Sequence, residues 1–529
     1  MSSSESAFVL TAAKIQTMVP SEVPVDWIVV EGERLAGSGP GDPPGGMKRI
    51  HLDGVLVPGF IDSHVHLTTT GLYQDGLDLR ESRSVEELLS ALAAHLSGTG
   101  DDWVIGGNFD PGRNEDARMP VRHEIDRVVG EKKALLSRAD GHSCAVSSSG
   151  LKAIALQPGL AGIDLDDEGS PTGVLRNQAN YEARRRFFGM LPESKILSAQ
   201  SGACRLALTK GVTSVHEMAG GSYMGDKDFE VMLSSLGDFP IHVVCYLATL
   251  DIQQVLGPGL RCVGGDLFLD GSIGSRTAAM SEPYLDFETR GHLYHEDDEM
   301  IDWYVEASRA GLQTGVHAIG DAAIEQALRC MEEAMIRLGP EGALGFTRLR
   351  HRIEHFECAS RDHMFRAKEM GVVGSVQPAF DAYWGGESGM YAARLGERWR
   401  SMNDFSLMHR EGMVLAGGSD STVTPLDPLI GISAAVNHLS GSSAVTPAEA
   451  LAMFTSSGAW AAREESERGS LGVGKRADLT VLSGDPLQTD PSEIQRLAHV
   501  ETWVGGKRRW TAEEGFFLTD LENGLHKGG

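Results

Sequence analysis

The 529-residue sequence lacks several features that would assign a chain to a familiar class. Only six cysteines occur and none forms a CxxC pair, so we expect buried, reduced thiols and no disulfide framework. No run approaches the roughly 18 apolar residues that a membrane span requires. The start MSSSESAF lacks the basic and long apolar segments of a secretory signal. These absences make the cytoplasm the expected location.

Positive charge is also scarce. The chain has 47 Lys and Arg against 74 Asp and Glu, which gives a formal net charge of −27. Such a chain repels nucleic acid and anionic membranes, so we expect neither as a partner. The glycine-rich stretch GGNFDPG lacks the Lys-Ser/Thr of a phosphate loop, and no GxSxG elbow occurs. We therefore expect a small-molecule substrate; composition does not exclude a Ser-His-Asp nucleophile system, and a homo-oligomer is left open.

The middle of the chain alternates short apolar strands with helical segments, which is typical of an α/β fold. One of the helical segments covers residues 322–338. Eight strands with intervening helices predict a (β/α)8 TIM barrel over residues 58–468. The candidate strands are 55–64, 213–218, 241–248, 266–271, 312–320, 349–356, 372–378 and 413–420.

Two further units are expected around that barrel. The interval 67–212 between the first two strands is too long for one crossover, so it predicts an inserted cap at about 70–200. Both ends of the chain, 1–57 and 469–529, are rich in short strand-like pieces. They predict a small composite β-sandwich domain. A capping box at Thr446-Pro447-Ala448-Glu449 predicts a helix through residue 463.

The stretch PGFIDSHVHL places two histidines, His64 and His66, at the end of the first strand. Alternate residues of a strand point to the same side, so both imidazoles can bind one metal ion. His317 in GVHAIGD, His355 in RIEHFE and Asp420 in AGGSDS end three other predicted strands. A barrel builds its active site at those ends. We predict that the five residues bind a divalent metal, with zinc favoured over iron, manganese, cobalt or nickel.

These motifs carry a family resemblance. PGFIDSHVHL, HAIGD, RIEH and GGSDS, in this order, resemble the metal-dependent amidohydrolase superfamily. GVTSVHEM, FLDGSIGSRTA, SVQP and the tail TPAEALAMFT…GSLGVGKRADLTVL resemble amidohydrolase family 3, the branch that includes the N-substituted formamide deformylases. The resemblance covers nearly the whole chain. It implies metal-dependent hydrolysis of a non-peptide C–N bond, in an amide, an N-formyl or N-acyl compound, or a cyclic amide.

One position departs from that branch. Asp266 begins the predicted fourth strand, where the branch often has a lysine that can be carboxylated to bridge two metals. Asp266 is a candidate bridge, although its side chain is much shorter than a carboxylated lysine. Two alternatives stay open, a bridged pair and one tight ion, and one tight ion is favoured. Asp270, which precedes a glycine, is expected to shape the turn.

The predicted ligands imply a mechanism. Water activated by the metal attacks the carbonyl carbon, while Asp420 accepts its proton as general base and returns it to the leaving nitrogen. His355 completes the ligand set, or polarises the carbonyl if a single ion binds. A deaminase or cyclic-ureide hydrolase would need the same apparatus. A homologue that binds a small molecule without turnover is the third interpretation, favoured only by the altered fourth strand.

Four residues outside the metal set are candidates for substrate binding. His142, next to Asp140 in the predicted cap, matches a DGH motif of the resembling branch, and a structural role for it is equally expected. Arg276 follows the fourth strand and can anchor a substrate carboxylate. His216 and Gln377 end the second and seventh strands, where their side chains can reach the site.

Overall fold

Parallel strands followed by helices form two sheets in the middle of the chain. The computed structural model describes residues 7–20, 23–96, 102–111, 118–139, 141–221 and 225–517. Three parallel strands form one sheet, in the order His242–Leu247, Val212–Ala219 and Phe60–Val65. Five parallel strands form the other sheet, in chain order: Cys262–Val263, Gln313–Ala318, Arg352–His355, Val373–Val376 and Leu415–Gly417.

The predicted α/β class is therefore confirmed, but the predicted closed barrel is not seen as one ring of paired strands. Over the described residues, Val65 forms an isolated parallel bridge with Ser421, at the end of the last strand. The fourth predicted strand, 266–271, is wrong as a regular strand: Phe268 alone bridges to His317. Two glycines with φ of +83° and +71°, at 264 and 265, turn the chain before Asp266 and prevent regular pairing there.

Both ends of the chain contribute to a third, mixed sheet. Its strand Lys48–Pro58 pairs in parallel with Phe8–Ile15 and antiparallel with Leu479–Leu482, which joins the N-terminal strands to the C-terminal ones. The sandwich packing and the boundaries 1–57 and 469–529 stay predictions. The eight strands, in sheet order, are Gly515–Phe516, Lys507–Thr511, His499–Val504, Leu479–Leu482, Lys48–Pro58, Phe8–Ile15, Trp27–Glu31 and Arg34–Gly39.

The interval predicted to hold an inserted cap contains a sheet of its own, between the first two parallel strands. Its boundaries as a domain stay a prediction. The six strands, in sheet order, are Ile163–Leu165, Pro171–Arg176, Ser143–Val146, Lys133–Arg138, Trp103–Phe109 and Leu77–Asp78.

Helices lie between the strands and bury apolar side chains against the sheets. The helix predicted over 322–338 lies within Asp321–Leu349, which is kinked at Gly339. The α-helices are Leu67–Asp75, Val85–Leu96, Arg122–Val129, Ser148–Ile154, Asn177–Met190, Glu193–Thr209, Lys227–Ser235, Gln253–Leu256, Asp297–Arg309, Asp321–Leu349, Arg361–Glu369, Pro378–Trp384, Met390–Leu395, Phe405–Arg410, Pro428–Val436, Pro447–Met453 and Ser456–Ala461. Short 3-10 helices are Gly396–Ser401, Gly441–Ser443 and Pro491–Arg496.

The capping box is confirmed, and the helix that follows it is shorter than predicted. The Thr446 hydroxyl accepts a hydrogen bond from the Glu449 backbone, and the Glu449 carboxylate accepts one from the Thr446 backbone. Thr455, with φ −139° and ψ −96°, interrupts the helix, so two short helices replace the single one predicted through residue 463. All six cysteines are free thiols. None of the helices described is long and apolar enough to cross a membrane.

Candidate active site

A cavity of about 480 Å³ lies where the parallel strands end. Its wall includes His66, His317, His355 and Asp420, each from the end of a different strand or from the one to three residues beyond it. Asp266, from the irregular fourth segment, lines it as well. His64, two residues before His66, does not line the cavity and is fully buried beneath its wall. The structure therefore brings together residues that are up to 356 positions apart in the sequence.

Two carboxylates face the imidazoles across this cavity. Asp420 Oδ1 lies 3.6 Å from His64 Nε2 and 3.2 Å from His66 Nε2. Asp266 Oδ2 lies 3.6 Å from His66 Nε2, and its Oδ1 lies 3.6 Å from His355 Nε2. The short Asp266 side chain therefore does reach the histidines. The atoms form two overlapping donor groups: His64, His66 and Asp420, and His64, Asp266 and His355.

Left-handed backbone conformations aim two of these side chains. A regular strand would place His355 on the face opposite to Glu354. The backbone has φ of 71° at His355 and 52° at Phe356, which turns the His355 ring into the cavity. Asp420 has φ of 51°, and its backbone N–H donates to the His64 carbonyl at 2.8 Å. Such conformations are costly for non-glycine residues, and they concentrate at functional sites.

Hydrogen bonds on the far side of the rings fix how the first two histidines present their nitrogens. His64 Nδ1 lies 2.9 Å from Glu354 Oε2, and His66 Nδ1 lies 2.9 Å from the Met218 carbonyl oxygen. Both partners are acceptors, so each Nδ1 carries the hydrogen and donates it. Each Nε2 therefore offers a lone pair toward the carboxylates, which is the arrangement of metal-binding histidines.

The third histidine is held in the same way. His355 Nδ1 donates to Gln377 Oε1 at 2.7 Å, so its Nε2 faces Asp266. Gln377 is buried and lies behind the cavity wall rather than in it. The structure thus gives Gln377 a contact with a candidate ligand; its predicted contact with substrate stays a prediction.

Glu354 and Arg352 form a buried ionic layer beneath the candidate ligands. Both side chains have no exposed surface, and Arg352 Nη2 lies 2.8 Å from Glu354 Oε2. Although burial opposes its ionisation, Arg352 and the bond to His64 lower the pKa of Glu354 to about 2. Glu354 is therefore a permanent acceptor for His64. The hydrogen-bond partners of Arg352 are the Glu354 carboxylate, the His216 ring, the Tyr246 and Ser375 hydroxyls and the Ser63 carbonyl.

Electrostatics at the site favours a positive charge between the two carboxylates. Burial opposes charge on the imidazoles, yet Asp420 and Asp266 raise the pKa of His66 to about 10. Burial likewise opposes charge on His355, yet Asp266 and Asp420 raise its pKa to about 9. Burial would raise the pKa of Asp266 and Asp420, but their attraction to the histidines is stronger and lowers the pKa of both carboxyl groups. A bound cation would supply the positive charge that the histidines otherwise acquire as protons.

The donor set fits a divalent cation. Two ligand atoms that bind one tetrahedral ion at about 2.1 Å lie about 3.4 Å apart, and the four carboxylate–imidazole distances above are 3.2–3.6 Å. His64 Nε2, Asp266 Oδ1 and Asp420 Oδ1 are buried and have no hydrogen-bond partner among the described residues. Because His64 Nδ1 is engaged, His64 has one nitrogen for both donor groups. It therefore cannot bind two ions at once.

His317 lines the cavity but belongs to neither donor group among the described residues. Its ring packs against His355, with centroids 4.5 Å apart, and its Nδ1 lies 3.2 Å from Asp270 Oδ1. Asp270 is buried and accepts three backbone hydrogen bonds, from Ala279, Ile319 and Gly320. Asp270 thus holds the segment that follows His317 against the segment around Ala279. The role of His317 as a metal ligand stays a prediction.

The predicted substrate residues reach different places. His142 lines the cavity and bonds to the Tyr181 hydroxyl; its neighbour Asp140 lies outside the described residues. His216 is buried against Arg352, and burial together with that charge keeps its pKa well below the usual value. His216 lies below the cavity wall rather than in it. Its role in substrate binding stays a prediction.

Arg276 also lies outside the cavity wall. Its guanidinium donates to Asp286 at 2.7 and 3.1 Å, and Arg394, which does line the cavity, shares that carboxylate. Two guanidinium groups therefore share one partly exposed carboxylate at this edge. Arg394 lines the cavity, and the role of Arg276 in substrate binding stays a prediction.

Three residues of this arrangement were missed from the sequence: Arg352, Glu354 and Arg394. A signal existed for the first two, because RIEH lies in a predicted strand of the barrel and places Arg352 and Glu354 at alternate positions, so that both side chains point to one face. No sequence signal points to Arg394. It lies in the short helix Met390–Leu395, and its place at the cavity depends on how that helix packs.

Known proteins share this architecture. Residues 52–509 match the model described as the Amidohydrolase family. The chain is 30% identical over 491 residues to YtcJ of Bacillus subtilis strain 168, whose name assigns it to the amidohydrolases; the alignment covers 87% of this chain and 90% of that protein. It is 24% identical to the N-substituted formamide deformylase of Arthrobacter pascens, over 86% and 88% of the two chains.

A solved structure is similar as well. The crystal structure of an uncharacterized metal-dependent hydrolase from Pyrococcus horikoshii OT3 superposes with a TM-score of 0.76 at 26% identity. The match covers 92% of this chain and 99% of that one. The similarity therefore extends over the terminal strands, the cap interval and the parallel sheets together.

Proposed function

The chain belongs to the amidohydrolase family, and from that premise we propose that it hydrolyses a non-peptide C–N bond in an amide-type substrate. The observation that carries the proposal is the orientation of three imidazoles. His64, His66 and His355 each donate from Nδ1 to a fixed acceptor and turn Nε2 toward Asp266 and Asp420. Such a site is built to bind a cation beside a cavity of substrate size.

We propose that one divalent ion, zinc first among the candidates, is held by His64, His66 and Asp420, with Asp266 and His355 next to it. When bound, such an ion acts as a Lewis acid and lowers the pKa of a coordinated water toward about 7. The single available nitrogen of His64 supports one tight ion over a bridged pair.

The residues of the chain then move the proton. The pKa of Asp420 lies below its usual value because nearby histidines outweigh the effect of burial, so its carboxylate is ionised and can accept a proton from the attacking water. The same group returns that proton to the nitrogen that leaves. His355 uses its Nδ1 hydrogen on Gln377, so its Nε2 can donate to the carbonyl oxygen only as the imidazolium, which the raised pKa of this ring, about 9, favours.

The test is a substrate panel with purified, metal-loaded protein. It would contain N-acyl amines, N-formyl amines, cyclic amides and cyclic ureides, with assays for amine, carboxylate and ammonia. Release of an amine and a carboxylate, lost after chelation and restored by metal, is the expected result. Ammonia as the product would favour a deaminase on the same site. Binding of panel compounds without turnover would favour the binding homologue.

Metal content is the first quantitative prediction. Elemental analysis of the purified protein should give about one divalent ion per chain, because the two donor groups share the one available nitrogen of His64 and cannot both be complete at once. Asp266→Ala should retain that ion with weakened affinity. A value near two ions for the natural chain, falling to one in Asp266→Ala, would contradict the single-ion proposal and make Asp266 a bridge.

Glu354 should control metal affinity without touching the metal. Glu354→Gln keeps the shape but removes the charge that orients His64, so we expect metal affinity to fall about 10–100-fold, as is typical for such outer partners. Competition with a chelator of known affinity measures this. Glu411→Gln, at a surface ion pair with Arg361, is the matched control and should bind metal like the natural chain. Equal affinities for the two variants would contradict the role of Glu354.

A further inference from the structure

A second cavity, of about 580 Å³, adjoins the candidate active site. It shares three wall residues with the first cavity: His66, Asp266 and Phe268. Most of its surface is apolar, although six of its other wall residues are polar or carry polar groups: Asn177, Gln178, Tyr181, His292, Tyr294 and His295. The small and apolar side chains and backbone that line it are Ala161, Met218, Ala219, Gly220, Gly221, Ala248 and Leu267.

Phe268 stands at the boundary between the two cavities. Its ring packs against His317, with centroids 4.8 Å apart, and against His142 and Tyr181 at 5.9 and 6.0 Å. Tyr181 lines the second cavity and His142 lines the first. A substrate whose reacting carbon lies at His66 and Asp266 can therefore extend into both cavities, with one part on each side of this ring.

The catalytic groups are distributed unequally between the two cavities. Asp420, His355 and His317 line the first cavity, and the second cavity shares none of them. The leaving nitrogen must take its proton from Asp420, so the amine part of the substrate lies in the first cavity. The substituent on the other side of the carbonyl carbon then points to the second cavity, where apolar surface would surround it.

We propose that the second cavity is an acyl-binding subsite, and that the preferred substrates are N-acyl compounds with an apolar acyl chain of several carbons. This inference rests on the proposed function. A formyl group would leave the cavity unused, whereas each methylene that enters it gains transfer free energy from water. The hydrolysis itself breaks the C–N bond, adds hydroxyl to the acyl carbon and hydrogen to the nitrogen, and needs no further reactant than water.

The test compares formyl, acetyl, butyryl, hexanoyl and octanoyl derivatives of one amine. For the natural chain, kcat/KM should rise about fourfold per methylene until the cavity is full. Ala248→Phe, which places a ring in the second cavity only, should lower the hexanoyl value at least tenfold relative to the acetyl value. Ala93→Phe, on the exposed face of the helix Val85–Leu96, is the matched control and should keep the natural chain-length profile.

Two results would overturn the inference. One is a flat chain-length profile for the natural protein, and the other is an equal loss for acetyl and hexanoyl substrates in Ala248→Phe. Ala248→Leu, a smaller change, replaces Ala248→Phe if the larger ring prevents folding. It should shorten the preferred chain without abolishing the preference.

A binding measurement separates this inference from the proposed function. If no compound of the panel is hydrolysed, the proposed function fails, and calorimetric titration of acetate, hexanoate and octanoate still tests the subsite. The natural chain should bind octanoate at least tenfold more tightly than acetate, and Ala248→Phe should lose that difference. Equal binding of the three acids, or the same preference in Ala248→Phe, would overturn the subsite.

Discussion

Replacement of Asp420 by Asn is expected to lower kcat by about 10²–10⁴-fold, the range that a positioned general base contributes. The amide has nearly the same shape as the carboxylate, but it cannot accept a proton from water at neutral pH. Its oxygen can still face His64 and His66, where Asp420 Oδ1 lies 3.6 and 3.2 Å from the two Nε2 atoms. The measurement is steady-state kinetics on the best substrate of the panel, at saturating metal.

The metal content of the same preparation decides how this result is interpreted. Loss of activity with the ion retained would support a role of Asp420 in proton transfer. Loss of both, with activity restored by excess metal, would make Asp420 a ligand only. Asp53→Asn, at a fully exposed carboxylate on a strand of the terminal sheet, is the matched control and should leave kcat unchanged. Unchanged kcat in Asp420→Asn would contradict the proposed mechanism.

The sequence predicted the part of this site that depends on strand order. His64, His66 and Asp420 each follow an apolar run, His355 lies near the end of the predicted strand 349–356, and parallel strands of one α/β unit end at the same side. That rule needs no knowledge of packing, so the four side chains could be brought together from the sequence alone. The structure brings them together at one edge of the cavity, with His64 buried beneath the wall that the other three line.

The parts that could not be predicted depend on contacts between distant segments. The fourth segment was expected to be a strand, yet Gly264 and Gly265 let it approach Gly315 so closely that a Cβ on Gly315 would lie 2.7 Å from the Gly265 backbone. In this arrangement the short Asp266 side chain reaches His66, with Oδ2 3.6 Å from Nε2. Neither the glycine conformations nor the partner that they approach follows from local patterning.

The buried charged pair inside the central sheets was the other feature that was not predicted. It affects both the candidate site and the stability of the fold. Arg352 and Glu354 are both fully buried, and His64 is hydrogen-bonded to Glu354. Moving two charges out of water is costly, and a buried pair is a weak source of net stability. An apolar pair of similar volume could fill the same space without the cost of burying two charges. It could not accept the hydrogen bond that orients His64. The pair is therefore best explained by its function at the metal site.

Replacement of Arg352 by Met should therefore have the largest effect on folding. The change keeps the length of the side chain but leaves the Glu354 carboxylate buried without its cation, so we expect the free energy of unfolding to fall by about 3–5 kcal/mol. Urea denaturation followed by tryptophan fluorescence and by circular dichroism measures the shift. If both probes report one transition, the free energy is well defined.

A matched change at the surface distinguishes the effect of leaving a buried carboxylate unpaired from the effect of losing any arginine. Arg361→Met breaks an ion pair with Glu411 whose arginine side chain is 75% exposed, and exposed pairs contribute about 0–1 kcal/mol. The double variant Arg352→Met/Glu354→Leu removes both charges and should recover much of the stability, while its metal affinity stays low because His64 has lost its acceptor. Equal stability of Arg352→Met and Arg361→Met would contradict the predicted loss of stability. A buried carboxylate at 0% exposure that has lost its cation should lower the free energy of unfolding. If the double variant regained stability and also bound metal as tightly as the natural chain, His64 would be oriented without Glu354. That result would contradict the proposed function of the Arg352–Glu354 pair.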